Sequence, residues 1–246
     1  MLQDQQNLIV GAPRGAGITP KTVSLITSKL KDMGVFRGER LLDIGCGDGA
    51  FTRVLGEGFG EVNGIDVQEP FLEKFRTEVA GNLRYRILNM SASEMTFGNE
   101  WFDTIVTIET LEHIPNLTGA ASEIVRVLKP GGELVITVPN RWFPFENHGF
   151  QIGSYIKHGR VPLLPYFPWL HRRLSLARVF SLRDLDDLFT TRGLERREVA
   201  YAWPTFEHDG NPLQPFLKPF YGAMRHLEQS PLQMFGTSVI ARYVKG

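Results

Sequence analysis

The chain has 246 residues, 42% of them apolar, and its 27 Lys and Arg balance 27 Asp and Glu. That length supports one sizeable core, so a single domain carrying insertions is expected, and neutral charge excludes the basic footprint of a nucleic-acid binder. The only cysteine, Cys46, excludes an intrachain disulfide and fits a reducing, cytoplasmic setting.

The opening MLQDQQNLIVGAPRG lacks the charged start and long apolar core of a secretory signal. No apolar run approaches the ~18 residues of a membrane span, so no stable membrane insertion is expected. Val23, Ile26 and Leu30 recur at helical spacing and predict a helix from about Pro20 to Met33. Strands then alternate with helices: strand Leu41–Ile44, helix Ala50–Leu55, strand Val62–Asp66, helix Pro70–Val79, and strand Leu83–Asn89 with a short crossover. Strand Thr104–Ile108, helix Leu117–Leu128 and strand Glu133–Val138 follow. A helix over Leu182–Thr191, stopped by Gly193, precedes strands Glu195–Ala202 and Thr237–Val244. Such alternation argues an α/β, doubly wound, mostly parallel sheet with helices on both faces.

The stretch LLDIGCGDGAFT, Leu41 to Thr52, carries the clearest chemistry. An apolar strand ends and opens into Gly45, Gly47 and Gly49, whose missing Cβ atoms let backbone approach a ligand. The spacing D-x-G-x-G-x-G differs from the dinucleotide fingerprint G-x-G-x-x-G, and no Walker-type lysine follows. Asp66 ends the next strand about 20 residues beyond the first glycine, where a carboxylate can accept hydrogen bonds from vicinal ribose hydroxyls.

With WFDTIVTIETLEHI (Trp101 to Ile114) and LKPGGELVITVPN (Leu128 to Asn140), this order resembles the class I S-adenosylmethionine-dependent methyltransferases. The likeness covers roughly 40–140 and is nearest the small-molecule branch, including ubiquinone-pathway and glycan or specialised-metabolite O-methyltransferases. It implies a Rossmann-like seven-stranded sheet with an antiparallel last strand. It also implies S-adenosyl-L-methionine as cofactor, with S-adenosyl-L-homocysteine as product, and a small-molecule acceptor. Mapped onto this sequence, Asp43, Gly45, Cys46, Gly47 and Gly49 border the methionine end, Asp66 and Val67 the ribose, Ser91 and Ala92 the adenine, and Ile108 and Glu109 the floor. Cys46 reads as a small residue packed beneath the cofactor. Serine stands at 91 where the family usually has aspartate, which weakens any hydrogen bond to the exocyclic amine.

Glu109, Glu112 and His113 form E-x-x-E-H. Carboxylate oxygens and imidazole suit a divalent cation, and the pattern is similar to that of ubiquinone-pathway O-methyltransferases. The same triplet occurs in metal-independent relatives, and no metal is expected, with His113 kept as a second candidate base.

Two connections exceed what a sheet needs: a lid insertion at 141–180 and a second insertion at 205–235, both rich in aromatics and proline. The first leaves a strand's carboxyl end, so it is the expected acceptor wall. Its His148, flanked by Glu146 in FENHGF, is the leading catalytic candidate, a base for an acceptor hydroxyl. The arginines at 172, 173, 178, 183, 192, 196 and 197 interleave with carboxylates and read as a salt-bridged surface. Arg172 and Arg173, after PYFPWL, stand apart as a patch that could meet an amphiphile. The expected activity is O-methylation of a specialised metabolite or sugar. Alternatives are a metal-assisted, N- or C-methyltransferase, or a silent cofactor-binding module whose aromatic insertions form a homodimer interface.

Overall fold

In the computed structural model, which describes residues 20–33, 36, 38–157, 161–203 and 230–246, the apolar runs assemble around one sheet. Its strands are β1 (Arg40–Ile44), β2 (Glu61–Asp66), β3 (Tyr85–Asn89), β4 (Phe102–Ile108) and β5 (Leu128–Pro139), with two more late in the chain. Between them lie α1 (Pro20–Asp32), α2 (Thr52–Leu55), α3 (Glu69–Glu78) and α4 (Leu117–Val127).

The insertion after β5 holds short strands β6 (Phe145–Glu146), β7 (Phe150–Ile152), β8 (Tyr155–Lys157) and β9 (Val161–Pro162), then α5 (Pro168–Leu174). The chain returns through α6 (Leu182–Phe189), β10 (Leu194–Ala202) and β11 (Ser238–Lys245). The seven-stranded order is β10-β11-β5-β4-β1-β2-β3, with β11 antiparallel to both β10 and β5 and the other pairings parallel. The expected architecture therefore stands, antiparallel last strand included.

Both faces of the sheet are covered, which is why its strands read as continuous apolar runs rather than alternating ones. Leu42, Ile105, Leu134 and Ile136 pack in one cluster with Ala120 and Ile124 of α4 and Leu185 of α6. Their neighbours Leu41, Val106 and Val135 pack in another with Leu30 of α1 and Leu55 of α2. Local signals fix the helix ends. Asn116 accepts from the Gly119 N–H at 3.0 Å to start α4, and Ser181 with Asp184 makes a reciprocal capping box on α6.

Boundaries move slightly from expectation. The helix expected from Ala50 starts at Thr52, and the one expected to reach Thr191 gives way after Phe189 to a 3-10 turn ended by Gly193 at φ +89°. β5 begins five residues early at Leu128, because Leu128 already pairs with Phe102 before the turn at Gly131. The lid insertion is a closed excursion. Arg141 donates to the Phe180 carbonyl and Phe180 to that of Pro139, both at 2.9 Å, so its two ends lie side by side on the carboxyl edge of β5. Of the second insertion, 204–229 lies outside the described residues, including the stretch Asn211 to Met224. No helix among the described residues is long and apolar enough to cross a membrane.

Candidate active site

The glycine loop leaves β1 with Gly45, Gly47 and Gly49 at φ +77°, +51° and +78°, a left-handed run that L side chains rarely tolerate. Space forbids side chains as well: a Cβ on Gly45 would lie 2.2 Å from Oγ1 of Thr110, and one on Gly49 2.3 Å from the Phe75 ring. The loop is tied to β2, since the N–H groups of Gly45 and Cys46 donate to the Ile65 carbonyl at 2.8 and 3.1 Å. Asp66, at the end of β2, holds the loop from its other side. Its Oδ2 accepts from Gly47 N–H at 3.0 Å and its Oδ1 from Gln68 N–H at 2.9 Å. Each carboxylate oxygen has capacity for a further donor, so the residue can both order the loop and receive a diol.

The other expected cofactor positions divide by what their side chains do. Asp43 is buried and accepts from the Thr52 hydroxyl at 2.6 Å, bracing the start of α2. Cys46 is buried against Gly64 with Leu72, Phe75 and Ile87, a packed small residue. Val67 is half-exposed beyond β2, while Ala92 and Ile108 turn their side chains into the core. The Ser91 hydroxyl lies 3.0 Å from that of Ser93.

At the end of β4, Thr110 packs on Gly45, so the turn carrying Glu109, Glu112 and His113 abuts the glycine loop. Glu109 adopts φ +49°, unusual for a residue with a Cβ. Its Oε1 is buried without a hydrogen-bond partner, and burial pushes its carboxyl above the ordinary value against the opposing charge of His148. Glu112 is more extreme. It is 1% exposed, and neither oxygen meets a donor from another residue. Burial first, then the neighbouring Glu109 and Glu146 carboxylates, drive its carboxyl well above the usual range.

The lid insertion supplies the other half. His148 Nδ1 lies 3.1 Å from Oε1 of Glu146, which also accepts the His148 N–H at 2.7 Å. The second Glu146 oxygen meets Nε2 of His171, buried on α5. Burial opposes ionisation of Glu146, but hydrogen bonds from His148 and His171 overcome it and hold the carboxyl at about 2. Burial lowers the His148 pKa, yet the hydrogen bond and charge of Glu146, with Glu109 beyond, outweigh it and raise the imidazole above its ordinary value.

With Nδ1 engaged, Nε2 is the working nitrogen. It faces Oε1 of Glu112 at 3.9 Å, and Nε2 of His113 lies at the same distance from that oxygen. The two rings stack edge to face at 5.5 Å. Ligand atoms of Glu112, His113 and His148 thus lie within 4.8 Å of one another, a spacing one cation could bridge.

The two candidate bases are therefore brought together, and Glu109 joins them electrostatically. Three supporting residues escaped sequence reasoning. His171 carried a signal, a lone imidazole inside the apolar run PYFPWL-H, but the paired arginines beside it drew the reading. Arg178, expected among the surface ion pairs, instead donates to the carbonyls of Ile114 and Pro115, and its own N–H to that of Glu112, fixing the E-x-x-E-H turn to the insertion. Asn140 donates from Nδ2 to the carbonyls of Met234 and Gly236, both at 2.7 Å, and anchors the insertion's first residue. Arg183, Arg196 and Arg197 do form surface pairs, with Asp187 at 3.9 Å, Asp186 at 3.5 Å and Glu195 at 2.7 Å, whereas Arg172 and Arg192 donate to the backbone carbonyls of Pro168 and Leu188.

Residues 42–136 match the family described as a methyltransferase domain. A demethylmenaquinone methyltransferase of Staphylococcus aureus is 37% identical over 109 residues, which are 43% of this chain and 45% of that enzyme. The match thus spans about half the length of that relative. An S-adenosylmethionine-dependent methyltransferase from Mesorhizobium loti superposes with a TM-score of 0.61 at 16% identity, over 89% of this chain and 96% of that one. One from Aquifex aeolicus superposes at 0.54 with 16% identity, over 93% and 98%.

Proposed function

We propose that this chain methylates a hydroxyl oxygen of a small or medium-sized acceptor, a reading supported by the match of residues 42–136 to a methyltransferase-domain family and by a fold like that of S-adenosylmethionine-dependent enzymes. The cofactor supplies an electrophilic methyl group on a sulfonium. Gly45, Gly47 and Gly49 would hold its methionine end and Asp66 its ribose, in a loop whose positive φ angles and excluded Cβ positions suit close backbone approach.

One observation carries the oxygen-acceptor reading: His148 is held by Glu146 at Nδ1, leaving Nε2 to face Oε1 of Glu112 at 3.9 Å, on the turn that abuts the glycine loop. An alcohol must lose its proton as it attacks, and a carboxylate-oriented imidazole is suited to take it. The insertion's aromatic wall, including buried Phe143 and Phe180, limits water around that transfer.

His148→Ala is expected to lower turnover by roughly 10²–10⁴-fold while leaving S-adenosylhomocysteine affinity nearly unchanged. The base works unprotonated and its pKa is raised, so the wild-type rate should climb with pH along a limb displaced above 6.5, and that limb should vanish in the variant. An equal loss of cofactor affinity would make His148 structural.

A second reading rests on Glu112, whose buried oxygens lack donors beside two imidazoles. A divalent cation held by Glu112, His113 and His148 would polarise the acceptor oxygen directly. Exhaustive chelation separates the two: unchanged turnover leaves His148 as base, whereas loss restored by magnesium or zinc moves the role to the cation. A metabolite-extract screen in which no compound is methylated would favour a silent binding module.

A further inference from the structure

The chain is neutral overall, yet between Asn147 and Arg183 it contains six Lys or Arg residues (157, 160, 172, 173, 178 and 183) and no Asp or Glu. That imbalance coincides with the densest exposure of large apolar side chains among the described residues. Ile152 and Tyr155 face each other across the β7–β8 hairpin at 57% and 60% exposure, Leu163 and Phe167 are half-exposed, and Trp169 is 66% exposed.

Two of these side chains, Leu163 and Phe167, open onto one groove, and the others stand on the hairpin and helix that carry its walls. Phe150 of the hairpin, Pro162 and Leu163 of the following segment, and Phe167, Leu170 and Leu174 at α5 line a common groove of about 320 Å³. On α5, His171 points inward to Glu146, so Trp169, Arg172 and Arg173, related by three and four positions, share the outward face. An indole beside two guanidinium groups, over an apolar groove, matches the headgroup layer of a bilayer, where aromatic rings settle and cations meet lipid phosphate. Across the β6–β9 ladder Val161 pairs with Glu146, so this surface borders the proposed acceptor pocket.

We infer that the outward face of the lid insertion docks on an anionic lipid surface, with Trp169 and the groove rim in the interface and Arg172 and Arg173 on lipid phosphates. The docking is peripheral, and it is independent of which atom is methylated.

The test is partition of the whole chain onto vesicles of phosphatidylcholine alone and of phosphatidylcholine mixed with phosphatidylglycerol, with neither cofactor nor acceptor present, so failure of transfer chemistry cannot mimic failure of docking. Binding to the mixed vesicles should exceed binding to the neutral ones by at least about tenfold and weaken with added salt. Joint Arg172→Gln and Arg173→Gln should cut binding to the mixed vesicles roughly 30-fold and leave binding to the neutral ones nearly unchanged, whereas joint Arg172→Lys and Arg173→Lys should retain it. Trp169→Ser should weaken binding to both vesicles. Equal partition onto both lipids, no partition, or a Gln pair that binds like wild type would overturn the inference. So would concentration-dependent dimerisation abolished by Trp169→Ser, which would make this face an interface between copies.

Discussion

The two halves of the site treat their buried carboxylates in opposite ways. Around the glycine loop, Asp43 is met by Thr52 and Asp66 by two backbone N–H groups, so the loop's polar groups are largely satisfied from within. Where the insertion meets the turn after β4, Glu146 is bound by two histidines while Glu112, across the His148 ring, has no donor from another residue. A buried acceptor without a donor costs about 1–3 kcal/mol, more when charged, so this half carries strain that the first does not. The glycine-loop half is pre-formed, and the half at the insertion gathers buried carboxyl oxygens without donors beside two imidazoles.

If the cofactor half is a rigid cradle, side chains there should be intolerable. Gly45→Ala is expected to cost about 3–5 kcal/mol, combining left-handed strain with overlap against Thr110. Gly81, also left-handed at φ +81° but with nothing within 4 Å of a new Cβ, isolates the strain alone, and Gly81→Ala should cost only about 1–2 kcal/mol. Denaturant midpoints of the two variants measure the difference. Equal costs would mean that the loop gives way and is no cradle.

The acceptor half makes its prediction through pH. Glu146 titrates at about 2 in the folded chain, against 4.5 for the free group. A depressed carboxyl contributes stability that is complete above the unfolded value and lost as pH falls through the folded one, here about 3 kcal/mol between pH ~4.5 and ~2. Glu112 has the opposite sign. Its raised pKa means that stability is complete below the unfolded value and erodes as pH climbs through the folded one. Glu146→Gln should therefore flatten the acid limb of a stability–pH curve, and Glu112→Gln should raise stability near neutrality. A Glu112→Gln variant less stable than wild type in chelator would break the contrast between the halves.

How much of this was legible follows from sequence distance. The cradle is local, because Gly45, Gly47 and Gly49 sit at alternate positions of one loop and Asp66 ends the adjacent strand, so spacing alone locates them. The alternation of apolar runs with capped helices likewise carried the sheet, and Glu146 was readable as a partner of His148 two residues away. His171 reaches the same carboxylate from 25 residues further along, through a turn of short strands and one brief helix that no periodicity announces. Arg178 looked like a surface cation because its partners are backbone carbonyls, which leave no trace in residue type. The closeness of His148 to Glu112 depends on how the insertion folds back, and only coordinates supply that.

The finest contrast lies between two neighbouring strand ends, the Asp66 carboxylate of β2 and the Ser91 hydroxyl just beyond β3, both expected at the nucleoside. Asp66→Ala should weaken S-adenosylhomocysteine binding by about 1.5–3 kcal/mol, since it removes charge-assisted acceptors for the ribose and loosens Gly47. Ser91→Ala should cost less than about 0.5 kcal/mol, because the hydroxyl already lies at hydrogen-bond distance from Ser93 and the neighbouring Ala92 can offer its backbone N–H to adenine whatever stands at 91. Ser91→Asp restores the charged acceptor that related enzymes carry and should tighten binding by about 1 kcal/mol through the exocyclic amine. Calorimetry on the three variants ranks them. If Ser91→Ala costs as much as Asp66→Ala, the hydroxyl is a principal adenine contact and the serine is a substitute for the acid; if Ser91→Asp weakens binding, the adenine lies elsewhere and the end of β3 does not bound the pocket.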